Sequence, residues 1–134
     1  VKRLVLYREE HAFVILNKYP YSNGHILIVP NRHVESLSDL DPEEHKSLFD
    51  LVTVTTGWLD KAYDPHGLNI GINLGRAAGA GLPGHLHVHV VPRWNGDTNF
   101  MPVISGVKVI SEGLEATYSK LKKYVQLWER TVES

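Results

Sequence analysis

His85-Leu86-His87-Val88-His89-Val90-Val91 sets three histidines at strict alternation inside an otherwise apolar run. Alternation is the β-strand period, so a strand is predicted here with the three imidazoles on one face and Leu86, Val88 and Val90 on the other. A strand that needed only burial would carry aliphatic groups on both faces. Here one face is given to side chains that titrate near neutral pH and serve as nucleophile, base or metal ligand.

Upstream of this run, Gly75 to Gly84 is a Gly/Ala-rich loop, and Leu68 to Leu74 alternates as a further strand. Earlier still, Glu10 to Asn17 is rich in β-formers, Lys18 to Gly24 is turn material, and His25 to Val29 is a second β run stopped by Pro30, together a hairpin. Between hairpin and histidines the period changes. Asp41 suits a helix N-cap, Pro42 the first helical position, and Glu43 and Glu44 complement the positive end of the dipole. Leu48, Leu51, Val52, Trp58, Leu59 and Ala62 recur at helical spacing, with Thr55 in the same stripe offering only a methyl, and Asp64, Pro65 and Gly67 end the helix. Past Pro92 come a polar loop, Arg93 to Asn99, and an extended stretch to Ile110. A closing helix over about Glu112 to Glu133 carries a seam of Leu114, Tyr118, Leu121, Val125 and Trp128. That seam suits either the sheet or another subunit. The prediction is an α+β chain: a mostly antiparallel sheet of about five strands with two main helices, as a single domain over residues 1–134.

Composition narrows the function. A formal net charge of -1 gives no global basic field of the kind that attracts duplex nucleic acid. The absence of cysteine removes disulfides, thiolate zinc sites and cysteine nucleophiles. No apolar run is long enough for a membrane span and no signal peptide is visible, so a cytoplasmic setting is expected. The chain begins at Val1 rather than methionine, which leaves open whether a segment precedes it.

Three readings of the histidine run compete. An idle solvated face is the plainest, but it suits a lone histidine better than three in register behind a Gly-rich loop. A metal site is the second. Alternate strand residues lie about 6.6 Å apart, so three imidazoles on a near-straight line do not readily take three corners of one tetrahedron. A pair would need a remote ligand such as Asp97, Glu35 or His25. The third is nucleophilic catalysis on phosphorus: the middle imidazole attacks, and its neighbours orient it and meet the phosphoryl oxygens. An ordinary imidazole, with a pKa near 6.5, is mostly neutral and nucleophilic at pH 7. This third reading is favoured. The formal match Gly79-x-Gly81-x-x-Gly84 to a dinucleotide fingerprint lacks the helix that should follow, though small residues there still allow backbone N–H groups close to an anion, with Arg76 adding charge.

His85-x-His87-x-His89-Val-Val with Pro92-Arg93, Asn17 eight residues before His25, and Asn69-Ile-Gly-Ile-Asn73-Leu-Gly75 together resemble the histidine-triad (HIT) proteins, which bind and cleave nucleotides. Trp94 to Phe100 resembles the prokaryotic branch that includes diadenosine tetraphosphate phosphorylases, and the likeness covers roughly residues 10 to 105. The resemblance implies a homodimer with one nucleotide site per subunit. It implies His87 as the nucleophile at the α-phosphorus, His89 at the phosphate or leaving group, His85 orienting its neighbours, and His25 behind the triad fixing tautomers. It further implies Asn17 at the ribose, Ile15 and Leu27 as apolar walls of the base pocket, and Asn73 on the phosphate side. In the loop, Gly81 stands where related phosphorylases carry a serine and Ala80 replaces a glycine, which removes a hydroxyl from the expected phosphate site. The N-terminal extension of many prokaryotic relatives, sometimes with zinc-binding cysteines, has no counterpart here.

The expected function is therefore a nucleotide hydrolase or nucleotidyltransferase that cleaves dinucleoside polyphosphates or related adenylates through a nucleotidyl-histidine, with adenine favoured. It needs no cofactor, and magnesium is admitted only with the substrate. The alternatives are a nucleoside monophosphate-binding module, a phosphoramidase of low turnover, or a metal-dependent hydrolase. His33 and His45 read as surface histidines, and His11 and His66 carry no argument. Trp94 suits base stacking or ordinary packing.

Overall fold

The structure is a computed structural model that describes residues 4–18, 23–75, 84–97 and 113–133. Five strands, β1 (Val5–Arg8), β2 (Ala12–Leu16), β3 (Ile26–Pro30), β4 (Gly67–Ile72) and β5 (Val88–Arg93), form one sheet in the order β1-β2-β3-β5-β4. Every pairing is antiparallel. Helix α1 (Pro42–Tyr63) crosses from β3 to β4, and α2 (Leu114–Glu133) closes the described chain. The predicted α+β architecture holds. β1 was not anticipated from the sequence, which offers only a short run there.

Alternation sorts each strand between two faces. Ala12, Val14 and Leu16 of β2, Ile26 and Ile28 of β3, and Val88 and Val90 of β5 enter one core with Leu48, Leu51, Val52, Trp58 and Leu59 of α1. The intervening residues, Ile15, Leu27 and His89 among them, lie on the face away from the helices. Helix α1 starts where expected. The Asp41 carboxylate accepts from the Glu44 amide at 2.8 Å and Glu44 Oε1 accepts from the Asp41 amide at 3.0 Å, a reciprocal capping box with Pro42 at its first turn. Arg32 grips the same Glu44 carboxylate with Nε at 2.9 Å and Nη2 at 2.7 Å, which, with the Asp41 amide, holds its pKa down to about 2. The helix ends at Asp64, in the left-handed region at φ 45°. Thr55 sits fully buried in the stripe, and its hydroxyl has no partner among the described residues.

The seam of α2 docks within the chain. Leu121 and Val125 are buried, and Leu114, Tyr118 and Trp128 pack against the same core. Tyr7 of β1, Trp58 of α1 and Trp128 of α2 form a cluster of edge-on rings with centroids 5.1–6.2 Å apart. Lys122 adds a hydrogen bond to the Leu6 carbonyl at 2.8 Å. Among the described residues no helix is long and apolar enough to cross a membrane. The extended stretch expected up to Ile110 lies outside the described residues.

Candidate active site

Two corrections to the predicted histidine strand have one cause each. The ladder begins at Val88, so His85 and His87 precede it rather than lying within it. Its partner β3 reaches Pro30, which has no N–H to donate, and pairing of β3 with β5 stops at Ile28↔Val88. The preceding residues bond elsewhere: the Leu86 amide donates to the Val34 carbonyl at 2.7 Å, and the His85 ring reaches the Pro30 carbonyl at 3.0 Å. At the other end, Pro92 does not stop the strand, which runs on to Arg93. Pairing with β3 has already ended at Ile26↔Val90, and at Pro92 the strand is paired with β4 through Leu68.

Of the four predicted histidines, the structure brings the rings of His25, His87 and His89 together, while the His85 ring meets the Pro30 carbonyl and His33. His25 sits at the mouth of β3, where Leu27↔His89 and Ile28↔Val88 set the register against β5. His25 Nε2 meets His89 Nδ1 at 2.9 Å, a contact across 64 residues of sequence. The His89 ring stands edge-on to His87, with centroids 4.8 Å apart, and 5.2 Å from His25. His87 is 4 % exposed, and its Nδ1 lies 2.9 Å from the His85 carbonyl. A carbonyl only accepts, so Nδ1 carries the proton and the lone pair of His87 is on Nε2. By the same reasoning His85 Nε2–H donates to Pro30. Burial, then the neighbouring His89 and His87, lower the His25 pKa to about 4. Burial, then His87, lower that of His89 as well. Both rings are therefore neutral at pH 7.

The residues expected at the nucleotide are placed as follows. Asn17 is adjacent to His25: its backbone amide donates to the His25 carbonyl at 3.0 Å, and its amide nitrogen lies 3.3–3.4 Å from the two ring nitrogens. Ile15 and Leu27 are cross-strand partners, and Leu27 in turn pairs with His89, so the two form an apolar strip leading to the histidines. Asn73 follows Ile72, the last residue of β4, whose partner across the sheet is Val88. Gly81 and Arg76 lie outside the described residues.

Of the remote metal ligands considered, Asp97 is engaged by Arg93 at 2.7 and 2.9 Å and by the Trp94 amide at 3.1 Å. Glu35 leans over Gly84, where a Cβ would stand 3.1 Å from its Oε1. Among the described residues no group of three or more histidine or carboxylate side chains is placed to hold a metal ion. His33 is exposed, as read from the sequence, and its ring stacks on His85 with centroids 4.8 Å apart and planes 22° from parallel. No local pattern could have revealed this, since the two rings are brought together by bonds between distant segments, Leu86 to Val34 and His85 to Pro30. His45 likewise behaves as a surface residue, tilted over Phe49 one turn along α1.

The HIT domain family model matches residues 1–96. This chain belongs to the HIT family. It is 45% identical over 114 residues to an AP-4-A phosphorylase of Mycobacterium tuberculosis (strain ATCC 25618 / H37Rv), across 85% of this chain and 58% of that relative. It is 38% identical over 93 residues to a bis(5'-nucleosyl)-tetraphosphatase (asymmetrical) of Schizosaccharomyces pombe, across 69% of this chain and 50% of that protein. The chain thus spans little more than half the length of these curated relatives. Among solved structures, a hypothetical histidine triad nucleotide-binding protein from Sulfolobus tokodaii superposes with a TM-score of 0.78 at 28% identity, covering 96% of this chain and 87% of that one.

Proposed function

We propose that this HIT domain, read as one domain over residues 1–134, cleaves a phosphoanhydride at the α-phosphate of a dinucleoside polyphosphate, with adenine nucleotides favoured. The observation that carries this is the hydrogen bond from His87 Nδ1–H to the His85 carbonyl, which leaves the Nε2 lone pair as the reactive atom. The His25–His89 pair beside it is hydrogen-bonded and neutral at pH 7. The names of the relatives described above point to the same substrate class.

In the first step His87 Nε2 attacks the α-phosphorus in line. The bond to the bridging oxygen breaks, the leaving phosphate takes that electron pair, and a nucleotidyl-imidazole forms. In the second step water or inorganic phosphate attacks from the vacated side, the P–N bond breaks so that His87 recovers its lone pair, and an attacking water releases its extra proton to solvent. Two inversions retain configuration at phosphorus. His89 meets the phosphate or leaving oxygen, backed by His25, while Asn17 binds the ribose, Ile15 and Leu27 wall the base, and Asn73 and the Gly81 loop line the phosphate side. No metal belongs to the protein's own machinery in this scheme, and magnesium enters with the substrate. A homodimer is supported by β4, the outermost strand of the sheet among the described residues, with Ile70 on it 52 % exposed and Leu74 just after it 43 % exposed. A nucleotide substrate fits a cytoplasmic setting.

The test is product analysis with diadenosine tetraphosphate, with and without inorganic phosphate, on the parent and on His87→Asn. Turnover should fall on the order of 10³-fold or more in the variant while nucleoside monophosphate still binds. Mass spectrometry of the parent after brief exposure should show a nucleotidyl adduct on His87. Diphosphate appearing only with added phosphate marks phosphorolysis. Equal turnover in variant and parent would remove the assignment.

A further inference from the structure

We propose that His33 is a positioning residue for the histidine row, holding the His85 peptide whose carbonyl fixes the tautomer of His87. The proposal rests on the reading of His87 as nucleophile.

Among the described residues the partner of His87 Nδ1 is the His85 carbonyl, so the reactive lone pair is only as well aimed as that peptide. The peptide lies outside the β ladder, which begins at Val88, and so lacks the strand pairing that fixes His89. What holds it is the connector from Pro30 to Val34. The Pro30 carbonyl takes the His85 ring proton, the Val34 carbonyl takes the Leu86 amide, and the His33 ring covers the His85 ring. The stack spans 4.8 Å at 22°, the face-to-face geometry that two planar rings adopt when offset.

A residue can position another only if it is itself fixed, and His33 is fixed on both sides. Asn31 donates to the Glu9 and Glu10 carbonyls, each at 2.8 Å, tying the connector to the β1–β2 turn. Arg32 is bound in two-point fashion to Glu44 and donates to the Asp39 carbonyl at 2.6 Å, tying it to the start of α1. Val34 is buried in the core. The ring of His33 also passes over Gly84, where a Cβ would stand 3.3 Å from its Nε2. Gly84 has φ +76°, so both its conformation and its missing side chain admit His33 against the turn that launches His85. Histidine tautomers are set by the hydrogen bond the other nitrogen makes, so a loosened His85 carbonyl releases the Nδ1–H form of His87.

The experiment uses the full chain, ¹⁵N-labelled, as parent, H33A, H33F and H33L. Long-range ¹H–¹⁵N correlation spectra report which nitrogen of His87 is protonated, and steady-state assays with diadenosine tetraphosphate report kcat and KM. In H33A the Nδ1–H population of His87 should fall, and kcat should drop between about 2- and 12-fold, the range for losing one aromatic stack, with KM within about twofold. H33F, which keeps a flat ring, should restore both, and H33L, which fills the space without one, should not. An unchanged His87 tautomer in H33A, or rescue by H33L equal to that by H33F, overturns the proposal. If the parent turns over no dinucleotide, the nucleotidyl-transfer reading fails, and the tautomer spectra alone decide the role of His33.

Discussion

Replacing His25 with glutamine should remove most of the pH dependence of stability between pH 7 and 4.5. His25 is 1 % exposed, and its burial lowers its pKa from the ordinary 6.5 to about 4. In the unfolded chain it takes a proton as pH falls through 6.5; in the native protein it stays neutral until about 4. The unfolded state therefore binds more protons across this window, so the unfolding free energy rises with pH and is lost on acidification. At about 1.4 kcal/mol per pH unit, the full gap costs about 3 kcal/mol by pH 4, of which about 2 kcal/mol falls between pH 7 and 4.5. Stopping at pH 4.5 avoids most of the loss from Glu44, which develops as pH falls from its ordinary value of 4.5 through its native value of about 2. The assay is urea unfolding at several pH values, at fixed ionic strength and protein concentration. The parent should lose stability on acidification by about this amount, and H25Q should start lower, without the His89 bond, yet follow a shallower line. The residual slope in H25Q belongs to His89, shifted in the same direction. Parallel lines for parent and variant, or a flat line for the parent, would show that His25 is not held neutral by burial.

Thr55→Val should raise stability by about 1 kcal/mol in the same urea assay, because the buried hydroxyl has no partner among the described residues and valine keeps the shape without the polar atom. Ile70→Asp, which puts a charge on the exposed apolar edge of β4, should shift the proposed homodimer toward monomer in sedimentation velocity, whereas an unchanged sedimentation coefficient would move the interface elsewhere.

Much of this molecule is written locally. Helix α1 announces itself through Asp41, Pro42, Glu44 and a 3.6-residue stripe, and each of those signals is complete within a few residues of chain. The alternation of His85, His87 and His89 likewise separates imidazoles from the aliphatic face without reference to any other segment. Only the tertiary structure decided where the ladder starts, because that depends on Pro30, a proline on another strand, failing to donate at the position opposite. It decided that α2 packs on α1 and β1 rather than remaining free for a partner, a choice its seam left open because two surfaces of similar chemistry would have satisfied it. It also brought His25 onto His89, since register between distant strands is set by pairing, and His33 onto His85, through bonds between the segments that carry them, and neither has a signature in the residues that will meet. Periodicity and capping are properties of one segment, whereas the protonation and aim of the central imidazole arise from contacts made between segments.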